Sequence, residues 1–199
     1  MPEISLTDFV DFTSASGTSK LSKLKQFKSR PEYEPAFDFY KKAREGIIAC
    51  HQVGDPRSQL ASHIGKVTDP KKIEHFSAII QGYKRWWGRK NLTWFDPSRT
   101  VYSESGVDIR INPELGLEID GVPHLAKLYF KSDKLSKIRV EVITHLMEKT
   151  LRPMVSPGTQ MSIIDARNSK LITSTVPIEG LDAMLAGEMA YISAVWSNI

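Results

Sequence analysis

The sequence predicts an α+β protein: a mainly helical first half, then a mainly antiparallel sheet of four to five strands flanked by two helices. Three observations lead there. Up to Gly88 apolar residues recur at spacings of three and four, the period of an amphipathic helix. From Asp108 to Lys131 they alternate instead, about the dipeptide Asp120-Gly121, which suits a two-residue hairpin turn because both positions adopt positive φ cheaply. Beyond Lys131 helical periodicity returns twice, around two short alternating runs. The 199 residues fit a single domain over 1–199, with 1–90 as its helical part and 98–199 as the sheet and two helices.

In chain order, Ser5 to Phe12 reads as a short helix capped by Ser5 or Thr7, with Leu6, Phe9 and Val10 on one side, broken by the small polar run Ser14 to Ser19. Lys20 to Lys28 is a basic amphipathic helix carrying Leu21, Leu24 and Phe27, stopped by Arg30-Pro31. Pro35 to Val53 follows, with Phe39 or Tyr40, Ala43, Ile47 and Cys50 inward and Gly54 ending it. Asp55-Pro56 and Asp69-Pro70 each place a cap before a first-turn proline, so a short helix ends near Gly65 and a long one runs from Pro70 to about Gly88. The long helix turns Ile73, Phe76, Ile80, Tyr83 and Trp87 inward.

Strands begin after Pro97. Thr100 to Ser103 alternates, Ser105-Gly106 turns, and the long hairpin completes a three-stranded meander. With Asp120-Gly121 fixed as the turn, Ile119 faces Val122, Leu117 faces His124, Leu115 faces Ala126 and Ile111 faces Phe130, with an edge or bulge expected at Pro113. The opposite face carries Asp108, Arg110, Asn112, Glu114 and Glu118 on one strand and Lys127, Tyr129 and Lys131 on the other. Ser132 or Asp133 caps a helix from Leu135 to Thr150 with Ile138, Val142, Leu146 and Met147 inward. Met161 to Ala166 and Lys170 to Ser174 are strands about a turn at Arg167 to Ser169. The last helix, Ile178 to Trp196, places Leu181, Met184, Leu185, Met189, Ile192, Val195 and Trp196 on one face. Small residues from Ala183 to Ala194 occupy its other side, which leaves room for a homodimer through this helix.

Composition is that of an ordinary globular chain, 41% hydrophobic and 25% charged. No apolar run is long enough for a membrane span, and the start lacks the basic and apolar regions of a signal peptide. A single cysteine, Cys50, excludes an internal disulfide and fits a reducing compartment, so a cytoplasmic location with no membrane partner is expected. Net charge is +4, and its distribution carries the information. From Lys20 to Arg30 every charge is positive, further excesses run from Lys71 to Arg99 and from Lys127 to Arg139, and beyond Lys170 only Glu179, Asp182 and Glu188 are charged. The segment at the end of the long helix interleaves Lys84, Arg85, Arg89 and Lys90 with Trp86, Trp87 and Trp94, the combination by which single-stranded nucleic acid is held, bases on rings and phosphates on cations. The same cations also suit a helix C-terminus.

The five histidines form no ligand pair, and no phosphate loop, dinucleotide fingerprint or nucleophile elbow occurs. Asp165, at a strand end, serves a turn or stands as a reserve acid. From Pro70 to Ala166 the order helix, three strands, helix, strand resembles the core of the PD-(D/E)XK (restriction-endonuclease-like, RecB-like) nuclease superfamily. The resemblance implies an acid on one strand and an acid-x-lysine triplet on the next, the carboxylates holding a divalent metal and the lysine positioning the attacking water. Asp108, Glu118 or Asp120 would supply the first acid, but two residues before Lys127 and Lys131 stand Leu125 and Tyr129, so the triplet is missing. Glu114, facing Lys127 across the strands, is the displaced acid or half of an ordinary ion pair. The expected role is a partner-binding module without catalysis and without a cofactor, its partner a protein or nucleic acid. The alternatives are a nucleic-acid-binding protein on a degenerate nuclease-like core, or a nuclease using Mg²⁺ with Glu114, Glu118, Asp120, Lys127 and Lys131 as its polar cluster.

Overall fold

The computed structural model describes residues 1–30, 38–65, 67–173 and 178–199. Within them the chain is α+β, with strand β1 (Glu3–Ser5), helices α1 (Leu6–Thr13), α2 (Thr18–Lys28), α3 (Lys41–Gln52), α4 (Leu60–Ile64) and α5 (Pro70–Trp87), and strands β2 (Leu92–Phe95), β3 (Thr100–Glu104), β4 (Val107–Ile111), β5 (Leu115–Ile119) and β6 (Val122–Tyr129). Helix α6 (Lys137–Leu151), strands β7 (Gln160–Asp165) and β8 (Lys170–Thr173) and helix α7 (Leu181–Trp196) complete it. No helix among the described residues is long and apolar enough to cross a membrane.

The strands form two mixed sheets rather than one: β1-β4-β3, and β2-β5-β6-β7-β8. Most pairs are antiparallel, but β1 runs parallel to β4, and β6 parallel to β7 with α6 as the crossover. Both hairpin turns are where the sequence placed them, Ser105-Gly106 with φ of 52° and 74° and Asp120-Gly121 with φ of 50° and 88°. The register Leu115↔Ala126, Leu117↔His124, Ile119↔Val122 is also the expected one. Upstream of it the expected hairpin ends. Pro113 offers no N–H for a ladder, and at Asn112 to Glu114 the chain leaves the larger sheet, so Ile111 pairs with Thr100 in the smaller one and not with Phe130. The three-stranded meander is therefore divided between the sheets, and β1 and β2 are strands the sequence reading did not place.

Two cores result. One side of the five-stranded sheet packs Leu115, Leu117, Ala126 and Ile164 against Ile47 and Cys50 of α3, Leu60 of α4 and Phe76, Ile79 and Tyr83 of α5. The other packs Leu125, Met161 and Ile163 against α1, α6 and α7 and against Val107, Ile109 and Ile111 of the smaller sheet. The polar hairpin face is thus covered along β6. Alternation assigns side chains to faces, and tertiary packing decides which faces meet water.

Most helices match their expected spans. Ser5 caps α1, its Oγ accepting from the Asp8 N–H at 3.1 Å. Helix α3 begins at Lys41, after non-helical residues 38–40, so the expected helix from Pro35 is shorter at its start. Pro35 itself, the stop at Pro31 and Ser174 at the expected end of β8 lie outside the described residues. In α5 the buried stripe is Phe76, Ile79, Tyr83, Trp86 and Trp87, while Ile73 is 51% exposed. In α7 Met184 is exposed and not inward. Gly82 lets α5 touch the β7–β8 turn: a Cβ there would lie 2.1 Å from the Ala166 carbonyl oxygen.

Candidate functional site

The five residues expected to form a polar cluster are divided in space. Glu114 and Lys127 meet where the chain changes sheets. The Lys127 ammonium donates to Glu114 Oε1 at 2.6 Å, to the Asn112 carbonyl at 3.0 Å and to Asn112 Oδ1 at 3.3 Å. Glu114 Oε2 accepts the Leu128 N–H at 2.8 Å. The carboxylate thereby replaces the strand that β6 loses when the chain turns away, and Lys127 neutralises it. The pair is buried, with side chains 7% and 13% exposed. Lys131 lies close by but pairs with Asp11 of α1 at 2.7 Å, and Arg139 of α6 approaches the other oxygen of Asp11 at 2.8 Å. Glu118 is exposed, opposite Pro123, and Asp120 sits in the far turn, where its Oδ1 accepts the Asn91 N–H at 2.8 Å. Six residues of extended chain, about 20 Å, separate Asp120 from Glu114, so these two acids do not join the cluster.

Leu125, at the acid position of the missing triplet, is fully buried in the core. Asp108 lies in the smaller sheet, accepting from Ser103 at 2.6 Å, and Asp165 holds its own turn through the Asn168 N–H and side-chain amide at 3.1 and 2.9 Å. Among the described residues no three His, Cys, Asp or Glu side chains converge to hold a metal ion.

Where β5 has ended and β6 continues, a pocket of about 120 Å³ remains. It is lined by Glu114 and Lys127, by apolar residues of α1, β6 and α6, and by Asp11, Lys131 and Arg139, with Tyr40 just before α3 and Arg44 within it. Arg44 is paired with Asp38. Sequence reasoning missed Asp11, Arg44 and Arg139, and it placed Asn112 on the polar hairpin face without joining it to the cluster. Arg139 lay within a basic excess, but no spacing connects it to Asp11.

The aromatic-basic segment is organised around the end of α5. Trp86 is 2% exposed and its ring faces the core, so it offers no stacking surface. Trp94 is half-buried, with Nε1 donating to Asp96 Oδ1 at 3.3 Å. Lys90 donates to the Trp86 carbonyl and lies over that ring, Lys84 reaches the Ser58 carbonyl at 3.3 Å, and Arg85 Nε reaches Ser169 Oγ at 3.3 Å. Arg57, from the turn before α4, donates to the carbonyls of Lys84 and Gly88 at 3.3 and 2.7 Å. Lys90 and Arg57 thus satisfy carbonyls at the end of α5, the role a helix C-terminus asks of cations, while Lys84 and Arg85 tie α5 to neighbouring turns. Arg89 is exposed.

The buried neutral groups lie on the α3–α5 side. His51 Nε2 and the Tyr83 hydroxyl are 2.8 Å apart, and burial holds His51 down at a pKa of about 4 and pushes Tyr83 well up. His124 sits on the apolar hairpin face, its Nδ1 2.7 Å from Ser162 Oγ, a hydrogen-bonded core histidine whose pKa burial lowers. Burial raises the Cys50 thiol pKa, which leaves it a poor nucleophile at neutral pH.

A third feature is the outward side of α7. Its two acids turn away to partners, Asp182 to Lys149 and His145 at 2.7 and 2.9 Å and Glu188 to Lys20. Ala183, Met184, Gly187, Ala190, Tyr191 and Ala194 are left exposed, a helix face without charge beside the open groove formed with residues 15–21. Compared with protein-family models, with curated proteins and with solved structures, the chain matches none.

Proposed function

We propose that this chain is a binding module without catalysis whose partner is a protein, in the first instance a second copy of itself. The observation that carries the reading is the uncharged outward face of α7. Small residues at Ala183, Gly187, Ala190 and Ala194 let another helix approach closely, and Met184 and Tyr191 supply apolar area to bury. Because the acids of α7 are engaged within the monomer, a two-fold axis here brings no like charges together. Absence of catalysis is supported by the engagement of Glu114 and Lys127 with structural backbone. The segment from Pro70 to Ala166 that carries the nuclease resemblance, its three expected strands divided between the two sheets, then serves as scaffold. Nucleic acid as partner is less well supported, since Trp86 is turned inward.

Sedimentation velocity of the full chain over a wide concentration range tests this, with a reversible dimer expected. Gly187→Glu should leave a monomer: a Cβ at Gly187 meets nothing within 4 Å and glutamate favours helix, so the variant folds while placing charge on the face. A chain that stays monomeric at the highest concentration, or a dimer indifferent to Gly187→Glu, overturns the reading. Metal-dependent cleavage lost on Lys127→Ala would restore the enzyme alternative.

A further inference from the structure

The pocket beside β6 exists because a strand is missing. β5 pairs only as far as Leu115↔Ala126, Glu114 closes the ladder with its side chain, and among the described residues no strand continues on the β5 side of Leu128 to Phe130. The space of about 120 Å³ has apolar walls, among them Leu6 and Val10 of α1 and Leu135 and Ile143 near the start of α6. Among the described residues its charges are unequal: four cations, Arg44, Lys127, Lys131 and Arg139, against two carboxylates, Asp11 and Glu114. Lys127 and Glu114 cancel one another, and Arg44 is matched by Asp38 from outside the lining. At Asp11 two cations meet one carboxylate, which leaves one positive charge in surplus. Lys131 and Arg139 are 36% and 22% exposed, so they can be reached from solvent while the apolar walls lie deeper.

The geometry points to this pocket as a binding site for a small organic monoanion, a carboxylate carried on a short apolar body. One surplus cation matches one negative charge, and the Arg139 guanidinium is planar and forked, which suits a carboxylate. A cavity of about 150 Å³ accepts a benzene-sized body, so this smaller one takes a chain of about five carbons, the body of hexanoate behind its carboxylate. Inorganic phosphate would satisfy the cations but gain nothing from the walls. The site shares no residue with the groove on α7, so neither proposal depends on the other.

The test is an NMR titration of the ¹⁵N-labelled full chain with sodium hexanoate, with hexanol and inorganic phosphate run separately. Hexanoate should give saturable shifts, in the millimolar range that so few non-hydrogen atoms allow, concentrated at Asp11, Lys131, Leu135 and Arg139. Arg139→Gln should weaken binding about tenfold, the loss of one charge-assisted contact. Should that variant unfold, Leu135→Trp fills the half-buried wall without touching a charge and should abolish the shifts. No saturation by hexanoate, an equal response to hexanol, or an equal response to phosphate would each overturn the assignment.

Discussion

Toward α3, α4 and α5 the five-stranded sheet buries Leu115, Leu117, Ala126 and Ile164, and its polar atoms there are neutral: His124 against Ser162, with His51 against Tyr83 in the helices above. Toward α1 and α6 the same strands bury Leu125, Met161 and Ile163, but between them lies Lys127, charged and held by Glu114. The two sides differ in how buried polar groups are made tolerable. On one side histidines lose their charge, and on the other a charge keeps its partner. Alternating polarity along β6 therefore identifies sides and says nothing about exposure. The side with the charge is also the one that keeps a pocket, because Glu114 replaces a strand with a side chain.

The sharpest way to break the comparison is Lys127→Met, which leaves Glu114 buried without its cation and should cost about 3–5 kcal/mol in urea unfolding. Adding Glu114→Gln should return much of that loss; if the double variant is no better than the single, the pair is not what stabilises the switch. On the neutral side the corresponding stress is acid. His51 holds a pKa of about 4 in the fold against about 6.5 unfolded, so the unfolded chain binds the extra proton between those values. Stability from this group is complete above pH 6.5 and is lost as pH falls toward 4, by up to about 3 kcal/mol. Chemical unfolding at pH 7 and pH 4.5 should show a smaller drop in His51→Phe than in the parent, and equal drops would remove the assignment. Tyr83→Phe deletes the partner of that histidine and should cost about 1–3 kcal/mol at pH 7, read from the same unfolding curves. Glu118→Gln, exposed at the far end of the hairpin, and Arg89→Ala should each stay within about 0.5 kcal/mol of the parent. A larger effect at Glu118 would mean that the hairpin face is engaged over its whole length.

Much of the secondary structure was legible because its signals are local. The Asp120-Gly121 and Ser105-Gly106 turns, the Ser5 cap and the Pro70 start of α5 are settled within about four residues, by backbone sterics and one or two hydrogen bonds. The cross-strand partnership of Glu114 and Lys127 was legible too, since it follows from the turn and the two-residue period. Illegible were the departure of β4 to another sheet, the burial of Trp86 and Ile79 in place of Ile73, and the meeting of Lys131 with Asp11, 120 residues away. Pro113 signalled a break without saying where the chain would go.

What the sequence by itself determined is a set of elements, their turns, and the side of each strand on which a residue stands. Which strands share a sheet, which polar face is covered and which cation meets which acid were decided by the tertiary structure. Strand partners and desolvated ion pairs depend on groups far away in the chain, and their energies exist only once the layers have closed around them.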